Sequence, residues 1–256
     1  MPVLFLSSSS SLFLLCFFFV DTGYHIQVGV LDVDLCGPSM AKILGLEGKE
    51  IHQSSAGWIP VYADKEKRLC CVSIAFLLPD PDAAVVWRGP KKNATIKQFL
   101  EDVCWGELDY LIVDTPPGTS DEHISITELL SKFGMDGAVI VTTPQNVALT
   151  DVRKEISFCE KLQIPILGLL ENMSGYTCPH CAECTNIFSS GGGKSLCELR
   201  RIRFLGALPI DPRLGTSMED GVSVFDRHPD CSSLQPLVDL ANELTAAGPG
   251  AVVAAE

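Results

Sequence analysis

The first 22 residues, MPVLFLSSSSSLFLLCFFFVDT, hold no glycine, no lysine and no arginine. That absence excludes a phosphate-gripping loop from the amino terminus, because such a loop must supply glycines, a lysine and a Ser or Thr. The segment also lacks the basic flank and small-residue cleavage site of a secretory signal, although the length of its apolar run, Leu12 to Val20, suits a signal core. The same run is too short to cross a bilayer, which takes about 20 residues. Phe, Ser, Leu, Cys and Val are the residues that pyrimidine-rich codons encode, as in translated sequence just upstream of a splice acceptor. Residues 1–22 are therefore read as a gene-model or splice-variant artefact outside the fold, and residues 23–250 as one domain.

Basic charge is also scarce: 19 Lys and Arg stand against 32 Asp and Glu, a net charge of -13. A nucleic-acid partner is excluded on that ground, since phosphate backbones are bound by a Lys/Arg surface. With 256 residues, 46% of them hydrophobic, the chain is long enough to bury a sizeable core. The 11 cysteines are odd in number, and several, such as Cys70, Cys71 and Cys159, sit inside apolar runs. They read as buried free thiols of a reducing compartment rather than a disulfide framework. The glycosylation tripeptides at Asn93 and Asn172 carry no meaning without secretion.

Short apolar runs alternate with helical patterns, which predicts an α/β fold with a mostly parallel, doubly wound sheet. Strands are expected at about 26–31, 70–77, 109–114, 137–142, 165–170 and 203–207. Helices are expected at about 38–45, 92–103, 121–133, 147–162, 193–200 and 232–246. In open sheets of this kind ligands bind beyond the carboxyl ends of the strands, and Asp32, Asp34, Asp114, Thr142, Asn172 and Pro209 fall there.

Asp114 ends LDYLIVD and is followed by Thr-Pro-Pro-Gly, a turn that stops the strand at its carboxylate. Placed there, a carboxylate can hold Mg²⁺ through water; its bland alternative is a helix cap, for which Ser120 and Asp121 are already available. Asp32 and Asp34 alternate onto one face and can aim at one water or ion, while a doubled acid at a strand end is more often just a turn. CPHCAEC at 178–184 contains a CxxC, the minimal chelate for a soft metal. No second pair follows, and His180 beside Cys181 makes a single tetrahedron awkward. Half a site per chain fits better, with Cys178 and Cys181 from each of two subunits holding a four-thiolate iron–sulfur cluster. SSGGGKS at 189–195 imitates a phosphate loop, but Phe188 stands where its first glycine would be, so it reads as a loop and helix start. Arg88, Lys91 and Lys92 gather in WRGPKKN, as a solvated helix start or a functional contact.

LDVDLCGPS, GWIPVY, VVWRGPKKN, DYLIVDTPPGTSDEH, VTTPQNVALTDVRKE, ENMSGYTCPHC and LPIDP together resemble the Mrp-type branch of the MinD/ParA-like P-loop ATPases. Within it they are similar to the eukaryotic cytosolic iron–sulfur scaffold nucleotide-binding proteins, over about residues 26–245. The resemblance implies a P-loop NTPase-like fold, Asp114 as the Walker B magnesium acid, and Asp32 and Asp34 in the first switch. It places Gly118 in the second switch, Asn172 and Asp211 on the adenine side, and Cys178 and Cys181 on a 4Fe-4S cluster bridging two subunits. ATP and Mg²⁺ would be the family's cofactors, with apo iron–sulfur proteins and a homo- or heterodimeric scaffold ATPase as partners. The location would be the cytoplasm, with no membrane and no nucleic acid.

The family's GKGGVGKS-type loop has no counterpart here, nor does the four-cysteine segment of one branch. The expectation is a sheet missing its first strand, its P-loop and its first helix. Four lost charge-assisted hydrogen bonds remove roughly 6–12 kcal/mol, against about 8 kcal/mol for micromolar binding, so ATP affinity should collapse. Two rival readings follow: a non-enzymatic metal-binding partner of an intact homologue, and a secreted or anchored protein.

Overall fold

The computed structural model describes residues 3–6, 26–80, 83, 85–131, 135–177 and 184–247. In chain order, β1 (Val3–Leu6) and β2 (Val28–Asp32) precede a short α1 (Met40–Ile43) and the hairpin β3 (His52–Ser54) and β4 (Gly57–Ile59). Next come β5 (Val61–Tyr62), β6 (Leu69–Val72), α2 (Gly89–Glu101), β7 (Tyr110–Asp114), α3 (Asp121–Leu130), β8 (Gly137–Thr142) and α4 (Asn146–Leu162). They are followed by β9 (Ile166–Glu171), the ribbon β10 (Tyr176–Thr177) and β11 (Cys184–Thr185), then α5 (Gly192–Arg200) and β12 (Phe204–Ala207). The chain closes with α6 (Pro212–Asp220), α7 (Val224–Arg227) and α8 (Gln235–Ala247).

Eight strands form one sheet in the order β12-β9-β8-β1-β7-β2-β6-β5, parallel throughout except for β5 against β6. Residues of β2 and β7 are buried without alternation because the sheet is covered on both faces. Val28, Val30, Tyr110, Ile112 and Val139 pack into one core with Leu214, Leu237 and Leu240 of the C-terminal helices. Leu31, Leu111 and Val113 point the other way, onto Ile96 and Phe99 of α2 and Ile126 and Leu130 of α3. Side-chain alternation therefore sends Asp32 and Asp114 to the same face.

The sheet does not lack its first strand. Val3–Leu6 runs parallel between β7 and β8, with Val3 opposite Leu111, Leu6 opposite Asp114 and, on the other side, Leu6 opposite Val139. The physical reason is that two buried strands facing an empty slot would leave their N–H and C=O groups unpaired. A short apolar segment of strand-forming composition fills such a slot through its backbone, whatever chemistry the family asks of the loop beyond it. The Ser tract that follows Leu6 lies outside the described residues.

Three smaller departures have local causes. The strand expected at 70–77 ends at Val72, because the Ser73 side chain accepts the Ala75 N–H and starts a 3-10 turn over Ile74–Leu77. Helix 38–45 shrinks to Met40–Ile43, closed by Gly45 at φ 65°. Helix α6 was not expected, although Asp211 caps it, Pro212 takes its first position and Gly221 ends it at φ 61°.

Candidate functional site

Asp114 and Asp32 end adjacent strands and are partners in register. Both are buried, with 0% and 1% of their surfaces exposed. Asp32 accepts the Ser73 hydroxyl at 2.9 Å and the Asp34 N–H at 3.1 Å. Burial, and then the neighbouring Asp114 charge, hold its carboxyl well above the usual range. Asp34 is half-buried and accepts the Gly37 N–H at 3.1 Å, so it closes its own turn while its charge still reaches Asp32. Among the described residues no three His, Cys, Asp or Glu converge as a metal-ligand set. Two adjacent carboxylates suit a hydrated divalent cation, whose charge relieves their repulsion and which keeps several of its waters.

Gly118, at φ 81°, donates its N–H to Glu155 Oε1 of α4 at 2.9 Å. The Pro-Pro-Gly turn is thereby tied to a helix rather than left loose. Ser120 caps α3 and its N–H meets His123 Nδ1 at 3.2 Å, so the cap that Asp114 would otherwise serve is already filled. Burial, above all, depresses the His123 pKa. Lys92 crosses from α2 to Glu122 at 2.7 Å and to Cys36 Sγ at 3.0 Å, and these hydrogen bonds raise its pKa. Burial alone would raise Glu122, but its bonds to Lys92 and Ser120 outweigh that and lower it. Lys91 instead lies 3.8 Å from the centre of the Trp87 ring. The basic cluster is thus divided between an internal bridge and a stacked surface cation.

Asn172 stands apart from the acids, past β8 at the end of β9. Its N–H donates to Thr142 O at 2.7 Å and its Oδ1 accepts the Met173 N–H at 2.9 Å. Asp211 is farther still, and its carboxylate is committed to the Arg213 guanidinium, the Arg213 N–H and the Ser233 hydroxyl, at 2.7 to 3.2 Å. The Arg213 contact, more than any other, holds its pKa far below the carboxylate range. Cys178 and Cys181 lie outside the described residues, as does His180. The antiparallel strands on either side are described, with Thr177 opposite Cys184, and Tyr176 is bridged to Ile210 beside Asp211.

A residue that the sequence reading passed over roots this ribbon. Glu171, the last residue of β9 and 1% exposed, accepts the Ser174 hydroxyl and the N–H groups of Gly191 and Gly193. The loop that imitates a phosphate loop therefore cradles the protein's own carboxylate. Gly193 lets the loop approach closely, since a Cβ there would come within 2.9 Å of Glu171 Oε2 and Leu169 Cδ2 and one of them would have to shift. The amides of this loop are taken by Glu171 and the Lys92 ammonium by Glu122, so neither is open to a phosphate, while Asp32 and Asp114 suit a cation.

Four other thiols belong to the core. Cys70, Cys71, Cys159 and Cys197 are buried, and burial pushes Cys70 up to about 12 and Cys159 to about 11, far from the thiolate a metal needs. No helix among the described residues is long and apolar enough to cross a membrane.

Comparison with known proteins adds sequence and fold evidence to this geometry. The chain is 61% identical over 211 residues to the cytosolic Fe-S cluster assembly factor NUBP2 homolog of Dictyostelium discoideum, covering 82% of this chain and 80% of that protein. It is 53% identical over 218 residues to the cytosolic Fe-S cluster assembly factor nubp2 of Xenopus laevis, covering 85% and 81%. A nucleotide-binding protein from Archaeoglobus fulgidus, solved with ADP, superposes with a TM-score of 0.72 at 32% identity, covering 90% of this chain and 89% of that one. The MinD cell division protein of Aquifex aeolicus shares the fold, with a TM-score of 0.66 at 16% identity and coverages of 96% and 97%. The ParA profile described as NUBPL iron-transfer P-loop NTPase matches residues 9–245, beginning inside the 1–22 segment. With most of its length matched, the chain belongs to the ParA-type NUBPL iron-transfer P-loop NTPase family.

Proposed function

We propose that this chain is a cytosolic scaffold for iron–sulfur cluster assembly, which holds a labile 4Fe-4S cluster between two subunits and passes it to apoproteins. The observation that carries this reading is the rooting of the 178–183 segment. Its flanking strands form a ribbon at the carboxyl end of the sheet, anchored through Glu171 and Ile210. Strands anchored in this way give the chain between them a fixed base, from which Cys178 and Cys181 would be offered to a second copy. The names of the relatives at 53–61% identity support the same reading.

Asp114 and Asp32 would hold Mg²⁺ through its waters, with Asp34 and Gly118 on the two loops around it, and the ion would supply positive charge there. Asn172 and Asp211 remain proposed for the adenine side, Asn172 with its amide nitrogen still to offer and Asp211 as the anchor of α6. A second reading, a partner subunit that gives thiolates but does not grip nucleotide, is favoured by the absence of Gly, Lys and Arg from residues 1–22. Calorimetry with ATP separates the two, because a low-micromolar dissociation constant would remove the second.

Anaerobic reconstitution of single Cys→Ser variants tests the cluster assignment. Cys178→Ser and Cys181→Ser should lose the cluster absorbance while Cys184→Ser keeps it. A cluster that survived Cys178→Ser and vanished with Cys184→Ser would overturn the ligand set.

A further inference from the structure

Helix α4 carries a feature that neither the acids nor the cysteines use. Arg153, Ser157 and Lys161 recur at i, i+4 and i+8, so they share one stripe of the helix. With Lys154, Phe158 and the exposed Thr119 they line a groove of about 670 Å³, counting its open mouth. No carboxylate lines it, a local reversal of sign in a chain of net charge -13. The nearby acids are turned elsewhere: Glu155 to Gly118 and Glu160 to Arg200 of α5. Lys154 pairs with Asp151 at 2.8 Å, but both are largely exposed, and such a pair yields readily to a competing anion. Arg153 and Lys161 make no ion pair among the described residues.

We propose that this groove docks an acidic peptide segment of a partner protein. The cations from Arg153 to Lys161 span about 12 Å along the helix, too long for one phosphate and about the length of four extended residues. Half-buried Phe158 offers an apolar contact between the charges, which suits a peptide that mixes acids with an aliphatic side chain. A nucleic acid is the poorer occupant, because the net charge of -13 opposes a continuous phosphate backbone that runs beyond so short a basic stripe. Thr119 adjoins Gly118, whose N–H is held by Glu155 of the same helix. An occupant would therefore touch the turn that follows Asp114, and docking would be felt at the acid site. The inference stands apart from the cluster and nucleotide readings, and its test needs neither ligand.

The probe is a fluorescein-labelled peptide alternating Asp and Glu with leucine, followed by anisotropy with the full chain. Saturable binding is expected at about 50 mM salt, weakening several-fold at about 300 mM as screening shortens. Arg153→Glu with Lys161→Glu should weaken it at least about tenfold. Lys65→Glu with Lys67→Glu, two exposed cations elsewhere, should leave it unchanged. If the double reversal fails to fold by circular dichroism, Arg153→Gln with Lys161→Gln serves in its place. The proposal falls if the peptide does not bind, if the groove variant binds like the parent, if both pairs of variants weaken binding equally, or if a DNA oligonucleotide displaces the peptide at lower concentration.

Discussion

Asp32 and Asp114 are register partners on neighbouring parallel strands, two buried carboxylates at the carboxyl edge of one sheet. An acid whose folded pKa is raised loses stability as pH climbs past its unfolded value, so ionised Asp32 weakens the fold at neutral pH until a cation joins it. Asp32→Asn removes that repulsion, while its amide can exchange hydrogen bonds with the Ser73 hydroxyl, which both donates and accepts. Without metal, the variant should melt about 2–4 °C above the parent at pH 7.5, the shift that about 1 kcal/mol makes in a domain of this size. Adding Mg²⁺ should raise the melting temperature of the parent only. Equal Mg²⁺ responses in both would remove Asp32 from the ion site.

Glu171 joins the end of β9 to the start of α5 and so fixes the base of the cysteine ribbon. Glu171→Ala would strand three donors, the buried Gly193 N–H and the half-buried Gly191 N–H and Ser174 hydroxyl, at about 1–3 kcal/mol for each that water fails to reach. The expected loss is about 2–5 kcal/mol in urea unfolding. Gly193→Ala should also destabilise, through contact with Glu171 and Leu169 rather than through the amides. A Glu171→Ala protein as stable as the parent would show that the glycine loop needs no internal anion.

His123 sets a pH dependence of its own. Burial lowers its folded pKa below the ordinary 6.5, although the charges of Glu122 and Asp34 partly oppose the shift. The unfolded chain therefore takes up the proton first as pH falls. This contribution is whole above about 6.5 and drains away as pH drops toward the folded value. Chemical denaturation between pH 7.5 and 5 should show falling stability, with a shallower slope in His123→Asn. That variant should start lower, by about 1 kcal/mol, because it loses the edge contact of the His123 ring with Phe158, while its Oδ1 can still accept the Ser120 N–H. A parent whose stability is flat across this range would contradict the burial argument.

The strands ending at Asp114, Thr142 and Glu171 were legible because continuous apolar runs stop at polar residues, and the structure ends them there or one residue later. So was a helix cap independent of Asp114: of the two residues available for it, Ser120 and Asp121, Ser120 serves. Helix α6 carried its own signature, Asp-Pro at the start and Gly after the end, but it is short and holds only two large apolar side chains, Leu214 and Met218, too few to mark it by apolar content. Glu171 was not legible: an acid at a strand end acquires its role only when glycines 20 and 22 positions later fold back onto it. Strand β1 was hidden for a similar reason. VLFL is only four residues long, a second and longer apolar run follows the Ser tract, and the two partner strands of VLFL lie more than a hundred residues away in sequence.

The placement of Val3–Leu6 yields the most direct test of the fold. A central strand bonded on both sides cannot tolerate proline, which removes a donor and collides with its neighbour. Phe5 lies opposite Val113 on one side and Ala138 on the other. Phe5→Pro should therefore cost at least about 3 kcal/mol and lower the melting temperature by roughly 6–12 °C, or leave the chain insoluble. Deleting residues 2–22 should do at least as much harm, since it opens the slot between β7 and β8 to water and exposes two strand edges to other chains. If the Phe5→Pro and deleted proteins melted like the parent, residues 1–22 would be a passenger, as their composition suggested, and β7 and β8 would have to close the sheet in another way.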